Sequence, residues 1–125
     1  MTGPAAVAGP VGVPGVSTLS THILDVVSGA PAAGVVVAVA RRDGETWTTL
    51  DRATTDQDGR IAALVPEGME AGVHRLLFDT AAYFRAAGRR AFYPEVSIVF
   101  EVGDERHYHL PLLLSPFAYS TYRGS

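Results

Sequence analysis

His22, the pair His107 and His109, Arg60 and the stretch Ser120-Thr121-Tyr122-Arg123-Gly124-Ser125 hold most of the groups in this chain that suit a reaction. An imidazole titrates near pH 6.5, so it can both take and give a proton at neutral pH and can activate water. A guanidinium offers a rigid fork of donors that fits the carbonyl or imide edge of a flat ligand. Other chemistries are closed by composition. No cysteine is present, which removes disulfides, a thiol nucleophile and cysteine-ligated metals. All ten basic residues are arginine, so no lysine can form a Schiff base.

Each candidate has a plainer reading. A lone histidine in an apolar strand is more often a hydrogen-bonded structural residue than a catalyst, and His74 is read that way. His107 is read as exposed near a strand start. Arg60 could be a solvated surface arginine, as Arg41, Arg42, Arg89 and Arg90 are taken to be. His22 with His107-x-His109 could form a three-histidine zinc site, but no carboxylate is placed to orient the rings, and no metal or other cofactor is expected. Asp25, Asp56 and Asp58 make no convincing calcium or glycosidase pair.

These groups must be positioned by strands. Beyond Ser17 the chain alternates short apolar runs with Gly, Pro and Asp clusters. The expected strands are Leu19–Val26, Gly34–Arg41, Thr46–Thr54, Arg60–Leu64, Gly72–Phe78, Glu95–Val102, Arg106–Leu114 and Ala118–Tyr122. Ser28-Gly29, Asp43-Gly44 and Asp58-Gly59 suit tight turns. The pattern predicts an all-β sandwich or barrel of antiparallel hairpins. One short helix is expected over Asp79–Gly88, from its capping residue, helix formers and closing glycine, with Tyr83, Phe84 and Ala87 packed on a sheet edge. Strand parity puts Ser20, His22, Leu24 and Val26 on one face and Thr21, Ile23 and Asp25 on the other. In the penultimate strand Tyr108, Leu110, Leu112 and Leu114 form an apolar face, with His107, His109, Pro111 and Leu113 opposite. Ser120 and Tyr122 share a face in the last strand. His22, His109, Ser120 and Tyr122 could therefore line one surface.

The 125 residues fit one domain of 18–125 behind a mobile Gly/Pro/Ala-rich tail of 1–17. A domain of this size buries roughly 65–70% of its unfolded surface, so packing alone can stabilise it. A net charge of −3 argues against nucleic acid as a partner. Neither a secretory signal nor a membrane span is legible, and a cytoplasmic location is expected.

Three stretches carry a resemblance: Leu19-Ser20-Thr21-His22-Ile23-Leu24-Asp25, Thr55-Asp56-Gln57-Asp58-Gly59-Arg60, and His107 through Ser115 followed by Tyr119-Ser120-Thr121-Tyr122-Arg123-Gly124-Ser125. Together they resemble the 5-hydroxyisourate hydrolases, the transthyretin-related enzymes of urate breakdown, over Leu19 to Ser125. The resemblance implies a transthyretin-like sandwich of two four-stranded sheets with one short helix. It implies a homotetramer, a dimer of dimers enclosing a channel, and a small purine-derived substrate. It places catalytic roles on His22, Arg60, His109 and Ser120, and substrate binding on His22, Arg60, Tyr122, Arg123 and Ser125. Transthyretin itself, as a hormone carrier, has lysine at the place of His22, glutamate at Arg60 and threonines at His109 and Tyr122, so the resemblance favours the hydrolase.

Overall fold

In the computed structural model, which describes residues 15–125, two sheets face each other across an apolar core. The expected tail, apart from its last residues, lies outside the described part. The elements are β1 (Val16–Asp25), β2 (Ala30–Pro31), β3 (Val36–Asp43), β4 (Thr46–Thr54), β5 (Arg60–Glu70), β6 (Gly72–Phe78), α1 (Thr80–Ala86), β7 (Val96–Val102), β8 (His107–Leu114) and β9 (Tyr119–Thr121). One sheet runs β5-β1-β8-β9, with the two-residue β2 added beside β1; the other runs β4-β3-β6-β7. The two four-stranded sheets and the single helix are thus present. β1 starts two residues earlier than the domain boundary expected from sequence, because Val16 and Ser17 pair with Glu70 and Met69.

Alternation places the core. Along β1 every second residue, from Ser17 to Asp25, is buried, and Tyr108, Leu110, Leu112 and Leu114 turn the same way from β8. Val37, Val39, Leu76 and Phe78 meet them from the opposite sheet. Thr21 sits on the buried face at no polar cost, since its hydroxyl donates to the Leu110 carbonyl at 2.6 Å. One expectation fails here: β1 and β8 run parallel rather than antiparallel, in the register Thr18↔His107, Ser20↔His109 and His22↔Pro111. Residues far apart in sequence form this pair, so no hairpin signal marks it.

α1 is capped by Asp79, whose carboxylate accepts the Ala82 N–H at 3.3 Å, and the chain leaves it at Gly88 with φ of 71°. Phe84 is its buried anchor and Tyr83 packs beside it; Ala87, expected inside, is exposed, because it follows the last full turn. Tyr83 and Arg89 hold the helix onto β1 through the buried Asp25 carboxylate, which accepts the Tyr83 hydroxyl at 2.8 Å, an Arg89 N–H, and the amides of Val27 and Ser28 at 3.1 and 3.2 Å. Arg89 is therefore structural rather than an ordinary solubilising charge. Burial alone would raise the Asp25 pKa, but hydrogen bonds from Arg89, Ser28 and Tyr83 outweigh it and hold the group at about 2 against an ordinary 3.8. The group is more acidic when folded, so its contribution, about 2 kcal/mol, is fully present above pH 3.8 and is lost as pH falls through 2. Asp25→Asn is expected to lower stability at neutral pH by that order and to flatten its dependence across this acid window, as read by urea unfolding at a series of pH values.

Candidate active site

The outer face of the β5-β1-β8-β9 sheet, the face turned away from the core, gathers the polar candidates. Cross-strand register does this directly. Ser20 lies opposite His109, Thr18 opposite His107, and His22 opposite Arg60 on the other flank of β1. Arg60 owes its place to a tight turn in which Asp56 Oδ1 accepts the amides of Asp58 and Arg60, both at 2.9 Å. Gly59 turns there at φ 72°, and a Cβ on it would lie 2.4 Å from the Ile23 carbonyl oxygen, so only glycine lets the turn close against β1.

His109 is held on three sides. Its Nδ1 is 2.7 Å from Ser20 Oγ, its carbonyl accepts the Gly124 N–H at 2.8 Å, and the Gly124 backbone lies so close that an added Cβ would be 2.6 Å from the ring Cδ2. Nε2 has no protein partner among the described residues. Burial first, then the Arg60 guanidinium and mutual charge repulsion with the neighbouring His107 and His22 rings, push the His109 pKa below the usual 6.5, which favours the neutral, proton-accepting form at neutral pH.

Two hollows meet at this ring. A cleft of about 310 Å³ is lined by Ser20, Thr21, Arg60, Ile61, Ala62, His107, His109 and Ser125. A more apolar hollow of about 320 Å³ lies on its other side, between Ile98 and Phe100 of β7 and Tyr108, Leu110, Thr121, Tyr122 and Arg123. The chain therefore brings Arg60, His109 and Ser125 into one cleft, with His22 as the cross-strand neighbour of Arg60. Tyr122 and Arg123 are exposed and line the adjoining hollow, where Arg123 lies over the Tyr108 ring at 5.3 Å and 3.6 Å from Glu105. Ser120 pairs with Leu113, further along the same sheet, and is exposed. β9 ends at Thr121, so the parity linking Ser120 to Tyr122 does not carry through.

Sequence alone gives Ser20, His107 and Gly124 no catalytic or substrate-binding role. His107, expected to be exposed, is half-buried and engages hydroxyls with both ring nitrogens, Thr18 Oγ1 at 2.6 Å and Ser20 Oγ at 3.0 Å. Parity already put Ser20 on the His22 face; the missing signal was the parallel pairing with β8. His74 is fully buried, with Nδ1 3.1 Å from the Gly72 carbonyl, and lies in the opposite sheet away from this cleft. Among the described residues no group of three or more His, Asp or Glu is arranged to hold a metal ion, and no helix is long and apolar enough to cross a membrane.

Residues 19–124 match the model of the HIUase/Transthyretin family. The 5-hydroxyisourate hydrolase of Salmonella typhi is 47% identical over 113 residues, which cover 89% of this chain and 83% of that one. The solved structure of Klebsiella pneumoniae 5-hydroxyisourate hydrolase is 45% identical with a TM-score of 0.80, over 87% of this chain and 99% of that one. Sea bream transthyretin, solved in complex with thyroxine, is 38% identical with a TM-score of 0.78, over 85% and 93% of the two chains.

Proposed function

The chain belongs to the HIUase/Transthyretin family, and within it we propose that this protein hydrolyses 5-hydroxyisourate, a step of urate breakdown, at the cleft between His109 and Arg60. The observation that carries this reading is a half-buried imidazole, with no partner for Nε2 among the described residues, in the same cleft as an arginine and flanked by a second histidine. Similarity to hydrolases at 45–47% identity supports it.

The substrate is a flat ring with several carbonyls. Water attacks an acyl carbon of the six-membered ring, the new C–O bond forms, the C–N bond breaks, and the product is 2-oxo-4-hydroxy-4-carboxy-5-ureidoimidazoline. His109 takes the water proton at Nε2. Arg60 holds the ring edge and offsets negative charge on the attacked carbonyl oxygen, while His22 shares the proton work by serving the leaving nitrogen. Ser120 helps order water; Tyr122, Arg123 and Ser125 contact the substrate from the closing stretch. No cofactor enters the scheme. Such a cleft is shallow in one chain, and a homotetramer made of two dimers would close it. Exposed Phe92, Phe117, Tyr119 and Tyr122 support burial against other copies, and light scattering should give four times the 13.2 kDa of one chain. A cytoplasmic site of action fits a purine-derived substrate.

The experiment is product identification. Purified protein and freshly generated 5-hydroxyisourate should yield a ring-opened species heavier by one water much faster than a protein-free control, with no tight thyroxine binding in a parallel titration. Tight thyroxine binding with no accelerated ring opening would instead favour a carrier. The close packing of Gly124 on the His109 ring gives a further expected result. Gly124→Ala must move ring or chain by less than 1 Å, and turnover should drop about tenfold, short of the roughly 10² of a full 1 Å misplacement. Steady-state rates with unchanged circular dichroism would check it.

A further inference from the structure

We propose that His107, acting through the hydroxyl of Ser20, is a positioning residue that fixes which nitrogen of His109 carries the proton. The observation is an unbroken chain of contacts, His109 Nδ1 to Ser20 Oγ at 2.7 Å, Ser20 Oγ to His107 Nε2 at 3.0 Å, His107 Nδ1 to Thr18 Oγ1 at 2.6 Å and Thr18 Oγ1 to the Arg106 carbonyl at 3.3 Å.

Proton counting allows the chain two directions. In the one assigned here Thr18 donates its single hydroxyl proton to Arg106 O, and its oxygen accepts from His107 Nδ1–H. A neutral His107 then offers a lone pair at Nε2, which takes the single proton of Ser20. Ser20 Oγ, its proton committed, accepts from His109 Nδ1–H. His109 is left with a lone pair at Nε2, the nitrogen without a protein partner. The opposite direction would turn Ser20 into a donor toward His109 Nδ1 and put a proton on Nε2, with the Arg106 carbonyl keeping the Thr18 N–H at 2.9 Å; the assigned direction adds the Thr18 hydroxyl to that carbonyl as a second donor. The network therefore selects the tautomer that a general base needs, in the way a buried orienting group does for the base of a hydrolytic triad. The other titratable or charged groups facing His109 are Arg60 and His22, neither of which hydrogen-bonds Nδ1.

The kinetic part rests on the hydrolase reading; the tautomer part does not. Nitrogen-15 NMR of the full chain, labelled in its histidine rings and held above their titration range, reads the tautomer directly. Wild-type His109 should show a protonated Nδ1 and a bare Nε2. In His107→Ala the Ser20 proton is released to turn toward His109, and the Nε2–H form should appear. His107→Gln, whose side-chain carbonyl can accept from Ser20, should restore the wild-type pattern. A wrong tautomer in a triad costs about 10⁴ in kcat, but here the ring keeps its Ser20 contact, so kcat of His107→Ala should fall by about 10–100-fold with KM within about twofold, and His107→Gln should recover most of the loss. Ser20→Ala, which leaves His107 in place, should also unlock the tautomer and serves if His107→Ala does not fold. The same His109 tautomer in wild type, His107→Ala and Ser20→Ala, or a wild-type Nε2–H, overturns the proposal. A locked tautomer in a protein that does not hydrolyse 5-hydroxyisourate would leave it standing and sink the substrate assignment instead.

Discussion

His109→Ala is expected to slow 5-hydroxyisourate turnover by about 10²–10⁴-fold, the usual contribution of a positioned general base. The loss should be chemical and not structural. The ring is half-buried on the outer face of its sheet, the core side of β8 is made by Tyr108, Leu110, Leu112 and Leu114, and the link to Gly124 uses the His109 backbone. Thermal unfolding should therefore change little while kcat collapses. The pH dependence gives a second handle. The His109 pKa lies below 6.5 because of burial first and the Arg60 guanidinium next, so the acid limb of kcat/KM should have its midpoint below pH 6.5. Folding stability should follow the same sign. The unfolded ring binds its proton more readily than the folded one, so this group costs nothing above pH 6.5 and destabilises the fold as pH falls through the depressed folded value.

Arg60→Ala should cost about 10²–10³ in kcat, the loss of one well-placed donor to a developing oxyanion, or about 3–4 kcal/mol. Arg60 is exposed and its turn is closed by backbone contacts, the Arg60 amide to Asp56 Oδ1 and the Asp56 amide to the Arg60 carbonyl, so the variant keeps the Asp56–Arg60 turn. Arg60→Lys should recover only a small part, because a point charge does not reproduce the planar fork. Removing Arg60 also removes the largest external charge that depresses His109, so the acid limb should move toward higher pH in Arg60→Ala. That coupled shift separates a cleft in which the two residues face one substrate from two unrelated surface groups.

Much of this was legible because strand parity is a short-range rule. The burial of Ser17, Leu19, Thr21, Ile23 and Asp25 on β1 follows from period two, as does the outward face of Ser20, His22 and His109. The short helix was legible from Asp79 and Gly88. Long-range pairing was not. The parallel docking of β1 on β8 brings Ser20 to His109 and Thr18 to His107 across more than eighty residues, and nothing local announces it. For the same reason the sequence shows Arg89 only as a surface charge, whereas in the fold it pairs with the buried Asp25. Tyr122 and Arg123 leave the strand ladder after Thr121, where parity no longer governs direction, and they turn to the apolar side of His109.

The most direct measurement is the ultraviolet decay of freshly generated 5-hydroxyisourate with the intact protein, alongside the His109→Ala and Arg60→Ala variants at equal concentration. A decay far faster than the spontaneous rate for the wild type, and near the spontaneous rate for both variants, is the predicted result. Decay at the spontaneous rate in all three samples, or equal acceleration in all three, would contradict catalysis at this cleft.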